Sequence, residues 1–419
     1  FYAGLQTVPT DTLEAATIDG ANRWQRIRYV VVPYMKPLVV FITLMQLMDN
    51  FRVLEPIVSF ASEASATSLS WIIYKDLTSD TQLFGSAAAT SMLTIVGVAI
   101  LLLPVLFRTW RDFSRTAHES LSKEHIMSNP AQRRSTSLAI ISTGFVVLWI
   151  MVAAPPFLWT LWGSFKVQGD FFSKADWTNA LYGVRTMIET GDFFTTNGYY
   201  GAWVEHGFGE SVINTTIVVV STVIISLTLG TLGGYALARS GFKYSFWILM
   251  LALVFRAMPH ITLVSGYLLP FFEWNIWGYL PTSIIVLVAI NQPFTLWMLH
   301  SFFLNIPKDL DESAMVDGCT RFQAFRHVII PVMWPGVVTT GLFSFLLAYN
   351  DFAVTASLLS QENQTMIPKI ASFLGTTQVE GNVMFAVAAV VSARIPLFIL
   401  VMFFQRQIVS GLTAGAVKG

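Results

Sequence analysis

Long apolar runs separated by short polar stretches rich in Arg and Pro set the rhythm of this chain. Residues 86–107, about 137–162, 211–237, about 244–269, about 278–303, about 332–359 and 383–405 are each long enough to cross a hydrocarbon core of about 30 Å as an α-helix. One further apolar stretch runs from Pro37 to about residue 60. It is interrupted by Asp49, Arg52 and Glu55, so its outer half needs protein or water around it instead of lipid. The pattern predicts an all-α, polytopic transmembrane helical bundle of about eight spans, two before and six after a polar break. That break, residues 108–136, is basic and polar. Pro155 and Pro156 predict a kink or a frayed outer end in the third span. Residues 163–210, rich in Gly and aromatics, are too long for a simple turn, so they either fold over the outer mouth or meet a partner.

Two of the polar stretches are copies of each other. Residues 4–37 read GLQTVPTDTLEAATIDGANRWQRIRYVVVPYMKP and residues 302–335 read FFLNIPKDLDESAMVDGCTRFQAFRHVIIPVMWP. A constant shift of 298 puts Pro9 on Pro307, Glu14 on Glu312, Ala16 on Ala314, Asp19 on Asp317, Gly20 on Gly318, Arg28 on Arg326 and Pro33 on Pro331. In each copy a proline precedes a helix start, where Thr10 or Asp11, and Asp309 or Asp311, are suited to cap free N–H groups. Glu14 and Glu312 lie near the first turn, where the helix dipole favours carboxylates. Gly20 and Gly318 stop the first short helix in a left-handed conformation. A second, Arg-bearing helix follows, with Pro33 and Pro331 expected to end it before the next apolar run. Each copy is thus a polar helix–turn–helix lying against the membrane between spans.

Composition agrees with a membrane protein. Hydrophobic residues make up 54% and charged residues 12%, with a mean hydropathy of +0.59, against about 25% charged in an ordinary soluble domain. The formal net charge is zero, so nothing points to nucleic acid. The lone Cys319 excludes an internal disulfide and reads as a small packing residue. Basic residues fix the orientation. With both repeat copies and the 108–136 break placed in the cytoplasm, 17 of the 25 Lys and Arg fall on that side and 5 outside, with Arg52, Arg256 and Arg394 inside spans.

The motif E-A-A-x-x-D-G-A followed by a proline resembles the coupling loop of ABC-transporter permeases, the membrane subunits of binding-protein-dependent importers. The first copy carries it as Glu14, Ala15, Ala16, Asp19, Gly20, Ala21 and Pro33. The second carries it as Glu312, Ser313, Ala314, Asp317, Gly318 and Pro331, departing from it at Ser313 and Cys319, both small. PFTLWMLHSFFLNIP, WPGVVTTGLFSFLLAYNDF and the terminal GLTAGAVKG are similar to the second permease subunit of maltose-type carbohydrate systems. The resemblance implies a type I ABC importer permease fold. Residues 1–113 are then expected to be the C-terminal tail of a first permease unit lacking its front half, and 114–136 a cytoplasmic linker. Residues 137–419 would form a six-span unit with its own coupling loop at 304–331, and Met127 reads as the start of a once separate chain. Function follows as an expectation: uptake of a sugar or polyol across a bacterial inner membrane by alternating access. The partners implied are a cytoplasmic ABC ATPase dimer, a periplasmic solute-binding protein, a second permease subunit or the absent front half, and the lipid bilayer. The alternatives are a permease for another solute class, such as amino acids or polyamines, and a secondary transporter. A coupling loop without a partner would be only a capped interfacial hairpin.

The chemistry carried by the chain is mechanical. There is no phosphate-binding loop of the form G-x-x-x-x-G-K-[ST], no H-E-x-x-H and no Cys/His cluster with metal spacing, so no catalytic residue, metal or cofactor is expected and ATP hydrolysis is assigned to another chain. Candidates for the translocation path are the costly polar groups within spans: Arg256, Asn291, Gln292, Tyr349, Asn350, Asp351 and Arg394. Each also fits a bland role as a fixed ion pair or as polar glue between spans.

Overall fold

The computed structural model describes residues 8, 10–35, 39, 68–78, 85–94, 96–97, 136–171, 181–240, 242–256, 260–376, 379–380 and 383–416. The apolar stretch expected up to residue 60, the end of the 86–107 span beyond residue 97 and the basic linker up to residue 135 lie outside them. In chain order the main helices are α1 (Thr10–Ile18), α2 (Arg23–Arg26), α3 (Leu69–Thr78), α4 (Thr136–Gly163), α5 (Val184–Thr190), α6 (Phe208–Arg239), α7 (Phe242–Arg256) and α8 (His260–Glu273). They continue as α9 (Leu280–Leu304), α10 (Asp309–Val316), α11 (Arg321–Ala324), α12 (Ile330–Tyr349), α13 (Ala353–Leu358), α14 (Met366–Phe373) and α15 (Val383–Ala416). The fold is all-α. Its one sheet among the described residues pairs two two-residue strands, Gly375–Thr376 and Val379–Glu380.

Five helical stretches among the described residues are long and apolar enough to cross a membrane: Thr143–Gly163, Phe208–Arg239, Leu280–Leu304, Arg321–Tyr349 and Val383–Gln405. A further pair of helices is apolar enough to cross only if taken together, and it is sharply bent. Instead of one straight span over 244–269, α7 and α8 run at 92° to each other. Hydropathy is blind to this break, because both halves are apolar. The expected span over 332–359 differs at both ends. It begins at Arg321 and stops at Tyr349, and Asn350 and Asp351 separate it from α13. Pro155 and Pro156 lie inside α4 and Pro293 inside α9 without ending either helix.

The chain divides into two compact units. The first comprises residues 1–113, 215–363 and 402–419. Here small residues bring helices together: a Cβ on Gly234 of α6 would come 3.0 Å from the His300 backbone N of α9. Where α6, α9 and α12 converge near Ile306, a cluster of Ala238, Leu299, Phe303, Ile306, Phe325, Ile329 and Met333 is buried. A buried apolar cluster of this kind is what fixes the ends of spans to the short helices beyond them.

The second unit comprises residues 114–214 and 364–401. Its α4 leaves the whole apolar window within 143–163 unburied, the surface expected of a helix facing lipid. The following segment folds on itself around Lys166, which is 2% exposed. The Lys166 ammonium donates to the Phe193 carbonyl at 2.6 Å and lies 3.5 Å from the Phe193 ring centroid, with Trp162 and Phe194 also facing it. Asp170, fully buried, accepts from Thr186 Oγ1 and N, both at 2.7 Å, and from Arg185 N at 2.9 Å. Burial pushes the Asp170 carboxyl up, but these donors together with the Lys166 charge outweigh it and hold it below the usual carboxylate range. Burial lowers the Lys166 ammonium, and Asp170 offsets that in part.

Candidate functional site

The two repeat copies fold into two arms with the same backbone design. In the first, α1 ends in a Schellman turn: Ala21 N donates to Ala16 O at 2.9 Å, Gly20 N to Thr17 O at 3.1 Å, and Gly20 sits at φ 80. In the second, α10 ends identically, with Cys319 N donating to Ala314 O at 3.0 Å, Gly318 N to Met315 O at 3.1 Å, and φ 88 at Gly318. The next short helices each open with a capping box. Asn22 accepts from Gln25 N while Gln25 accepts from Asn22 N; Thr320 and Gln323 do the same. A π turn then follows in both, Ile27–Val31 and Phe325–Ile329.

That π turn explains a departure from expectation. Pro33 and Pro331 were expected to end the second helix, yet the helix runs through both. A proline lacks an N–H and its ring crowds the carbonyl four residues back. The i→i−5 bonds of the preceding turn, ending with Val32 N to Ile27 O and Ile330 N to Phe325 O, shift the ladder by one residue ahead of each proline. The second arm therefore continues without interruption into its span, Arg321–Tyr349.

The named motif residues occupy matching places. Glu14, Ala15, Asp19, Gly20 and Pro33 are exposed and Ala16 half-buried; Glu312, Ser313, Asp317, Gly318 and Pro331 are exposed and Ala314 buried. The structure adds Ile18, Val316 and Phe322, which the motif did not single out, and shows Trp24, which belongs to the first copy's match, to be exposed. Ile18 and Val316, equivalent under the repeat, are each 87% exposed, and Trp24 and Phe322, also equivalent, are 80% and 64% exposed. Each arm thus presents an aliphatic and an aromatic side chain to solvent at the same two positions. In helices of nine and eight residues, periodicity alone does not say which apolar residue faces out.

Capping of the second arm also departs from expectation. The α10 start at Lys308 has no side-chain cap, and Asp311 turns inward. Its Oδ2 meets Arg239 Nη2 at 2.6 Å and Nε at 2.8 Å, and its Oδ1 accepts from Tyr235 OH at 2.6 Å. As the third helical residue it shares the buried face with Ala314, and a guanidinium fork outcompetes the helix's own N–H groups for it. In the first arm Leu13 stands at the equivalent position. There the two short helices are tied to each other, by Arg26 Nη1 donating to Thr17 Oγ1 at 2.8 Å.

The candidate path residues are dispersed. Arg256 ends α7 and stacks over the Phe294 ring at 4.9 Å, and Phe294 meets Phe343 of α12 edge-on at 5.6 Å. Gln292 Nε2 donates to Ser226 O at 3.3 Å. Asn291 is fully buried, and among the described residues neither of its amide atoms has a hydrogen-bond partner. Tyr349 stacks on Phe345 at 5.1 Å, and Asn350 Nδ2 donates to Leu346 O at 2.9 Å. Asp351 Oδ1 accepts from Val354 N and Thr355 N at 3.1 and 3.0 Å, so its carboxylate holds the start of α13. Arg394 is exposed on α15 and belongs to the second unit.

Comparison with known proteins accounts for this architecture. The family model described as "Binding-protein-dependent transport system inner membrane component" matches residues 1–113 and 206–413. The chain belongs to this family of multi-pass inner-membrane transport components. Similar curated proteins include a diacetylchitobiose uptake system permease protein of Streptomyces coelicolor, 34% identical over 65% of this chain and 95% of that protein. A trehalose/maltose transport system permease protein of Thermococcus litoralis is 32% identical over 65% of this chain and 94% of its own length. A trehalose transport system permease protein of Mycobacterium tuberculosis is 34% identical over 54% and 82%. Among solved structures, a bacterial ABC transporter that imports the acidic polysaccharide alginate superposes with a TM-score of 0.50 at 18% identity, covering 67% of this chain and 99% of that one. That likeness concerns the fold.

Proposed function

We propose that this chain is the permease of an ATP-driven importer for a sugar or polyol, whose two arms receive force from a cytoplasmic ABC ATPase dimer. The observation that carries the reading is the pair of equivalent arms. Each is rigidified by a Schellman turn and a capping box, and each offers an exposed aliphatic–aromatic pair, Ile18 with Trp24 and Val316 with Phe322, for insertion into a partner. Glu14, Ala15, Ala16, Asp19, Gly20 and Pro33, and Glu312, Ser313, Ala314, Asp317, Gly318 and Pro331, are the coupling residues on this reading. A periplasmic solute-binding protein delivers the substrate. ATPase closure displaces the arms, and the spans exchange between two arrangements. Relatives named for diacetylchitobiose, trehalose and maltose support a carbohydrate substrate.

The separate family matches to 1–113 and 206–413 support reading the chain as two tandem permease units. Asn291, buried with its amide unengaged among the described residues, is the best supported path residue, with Arg256, Gln292, Tyr349, Asn350, Asp351 and Arg394 as further candidates. The test is reconstitution of the purified complex in proteoliposomes. Loaded binding protein should stimulate ATP hydrolysis and drive uptake of a radiolabelled disaccharide. Ion-driven uptake without ATP would overturn the proposal in favour of a secondary transporter.

A further inference from the structure

The geometry points to Arg239 and Tyr235 as positioning residues that clasp the second arm, and that arm alone, to the end of span α6, so that displacement of α10 is delivered to this span directly. The inference rests on the reading of the arms as levers. Arg239 is the last residue of α6. Its guanidinium holds both ends of a joint: Nη2 and Nε bind Asp311 Oδ2 on α10, while Nη1 donates to the carbonyls of Phe303 and Ile306, both at 3.3 Å, at the end of α9. Tyr235, one turn earlier on α6, holds the other carboxylate oxygen and lies beneath the guanidinium, whose carbon is 5.7 Å from its ring centroid. The Tyr235 ring also packs on Phe325 of the π turn at 4.7 Å.

Three properties make this a joint and not surface decoration. The pair is mostly withdrawn from water, with side-chain exposures of 16% for Arg239 and 11% for Asp311, so screening is weak. Both carboxylate oxygens are engaged, one by the Nε hydrogen bond and the Nη2 ion-pair contact of Arg239, the other by the Tyr235 phenol. Directly beside it lies the buried cluster of Ala238, Phe303, Ile306 and Phe325, which resists compression. By contrast, Glu312, the motif carboxylate next to Asp311, is exposed and left for a partner. The repeat supplies an internal control, because the first arm has Leu13 where the second has Asp311.

The test uses the assembled transporter in proteoliposomes with loaded binding protein, measuring substrate moved per ATP hydrolysed. Asp311→Leu, which gives the second arm the first arm's residue, should lower that ratio roughly tenfold, because Arg239 loses its buried partner, while ATP hydrolysis persists. Asp311→Glu should restore most of it. Tyr235→Phe, which keeps the packing, should lower the ratio roughly threefold. An unchanged ratio in Asp311→Leu and Tyr235→Phe overturns the inference. So does a loss of hydrolysis and uptake in proportion that Asp311→Glu leaves unrepaired, since that is the mark of a merely structural contact. In either case the lever reading stands as long as the parent complex couples hydrolysis to uptake; a parent complex that does not couple overturns both.

Discussion

The two arms are built alike and seated differently. Their backbones agree bond for bond: Schellman turn, left-handed glycine, capping box, π turn and proline occur at positions 298 residues apart, Gly20 and Gly318 among them. Their surroundings do not agree. In the second arm Asp311, Ala314, Ala324, Phe325 and Ile329 are buried against the spans of the first unit. In the first, α2 and the π turn bury nothing, and the arm is held together from within by Arg26 and Thr17. Conformation of an arm is therefore local, set by glycine, cap and proline, whereas its attachment is tertiary and written in residues far away in sequence. An arm can keep its shape while its grip on the bundle changes by substitution at one site.

Several experiments break or sharpen that contrast, and the largest effect is expected at the shared glycines. Gly318→Pro forces φ from 88 to about −65. It should abolish coupled uptake while leaving the spans folded, as read by uptake assays and by helical circular dichroism. Gly20→Pro should do the same if both arms are levers; a silent Gly20→Pro would restrict the lever to the second arm. Next in size are the exposed tips. Val316→Asp and Ile18→Asp place a charge where the proposal sets an apolar side chain against the ATPase, and each should weaken assembly by about 2 kcal/mol, roughly 30-fold, measured by titrating ATPase into permease-loaded nanodiscs. Unequal losses would mean that the arms engage unequal sites.

Smaller still are the caps. Asn22→Ala and Thr320→Ala each remove a side-chain acceptor worth about 1 kcal/mol. Hydrogen exchange should rise in residues 23–31 and 321–329 respectively, and a much smaller rise in the second arm would measure how far its burial compensates. The smallest expected effect on coupling comes from outside the arms. Asp170 has a depressed folded value, so its stabilisation is complete above the unfolded value of about 3.9 and is lost as pH falls through the folded value. The segment at 163–206 should loosen to added protease in acid and not near neutrality, and Asp170→Asn should remove that dependence without altering the transport-to-hydrolysis ratio.

Much of this was legible in the chain. The repeat announced itself by identity of residue type at constant spacing, and Gly20 and Gly318 fell where a left-handed residue was needed. Apolar length located α4, α6, α9 and α15. What escaped has a common cause, because pattern gives depth and period but not azimuth or distant partners. Caps were expected at Thr10 or Asp11 and at Asp309 or Asp311, where the first helix of each arm starts; the capping boxes at Asn22 and Thr320 open the second helix instead. Asp311 looked like a cap because its partners, Tyr235 and Arg239, lie more than seventy residues away. The break between Arg256 and His260 was invisible to hydropathy, since both halves are apolar. Polarity picked out Asp351 as a path candidate without revealing that its carboxylate holds the start of α13.

Because the π turn lets Pro331 pass, residues 321–349 form one rod of 29 residues, about 44 Å long at the usual rise and so longer than the hydrocarbon layer it crosses. That continuous helix, with Pro335 also inside it, joins the second arm to the other end of the span. On the proposed lever reading, a displacement of the arm at Arg321 is carried by one unbroken helix to its other end at Tyr349.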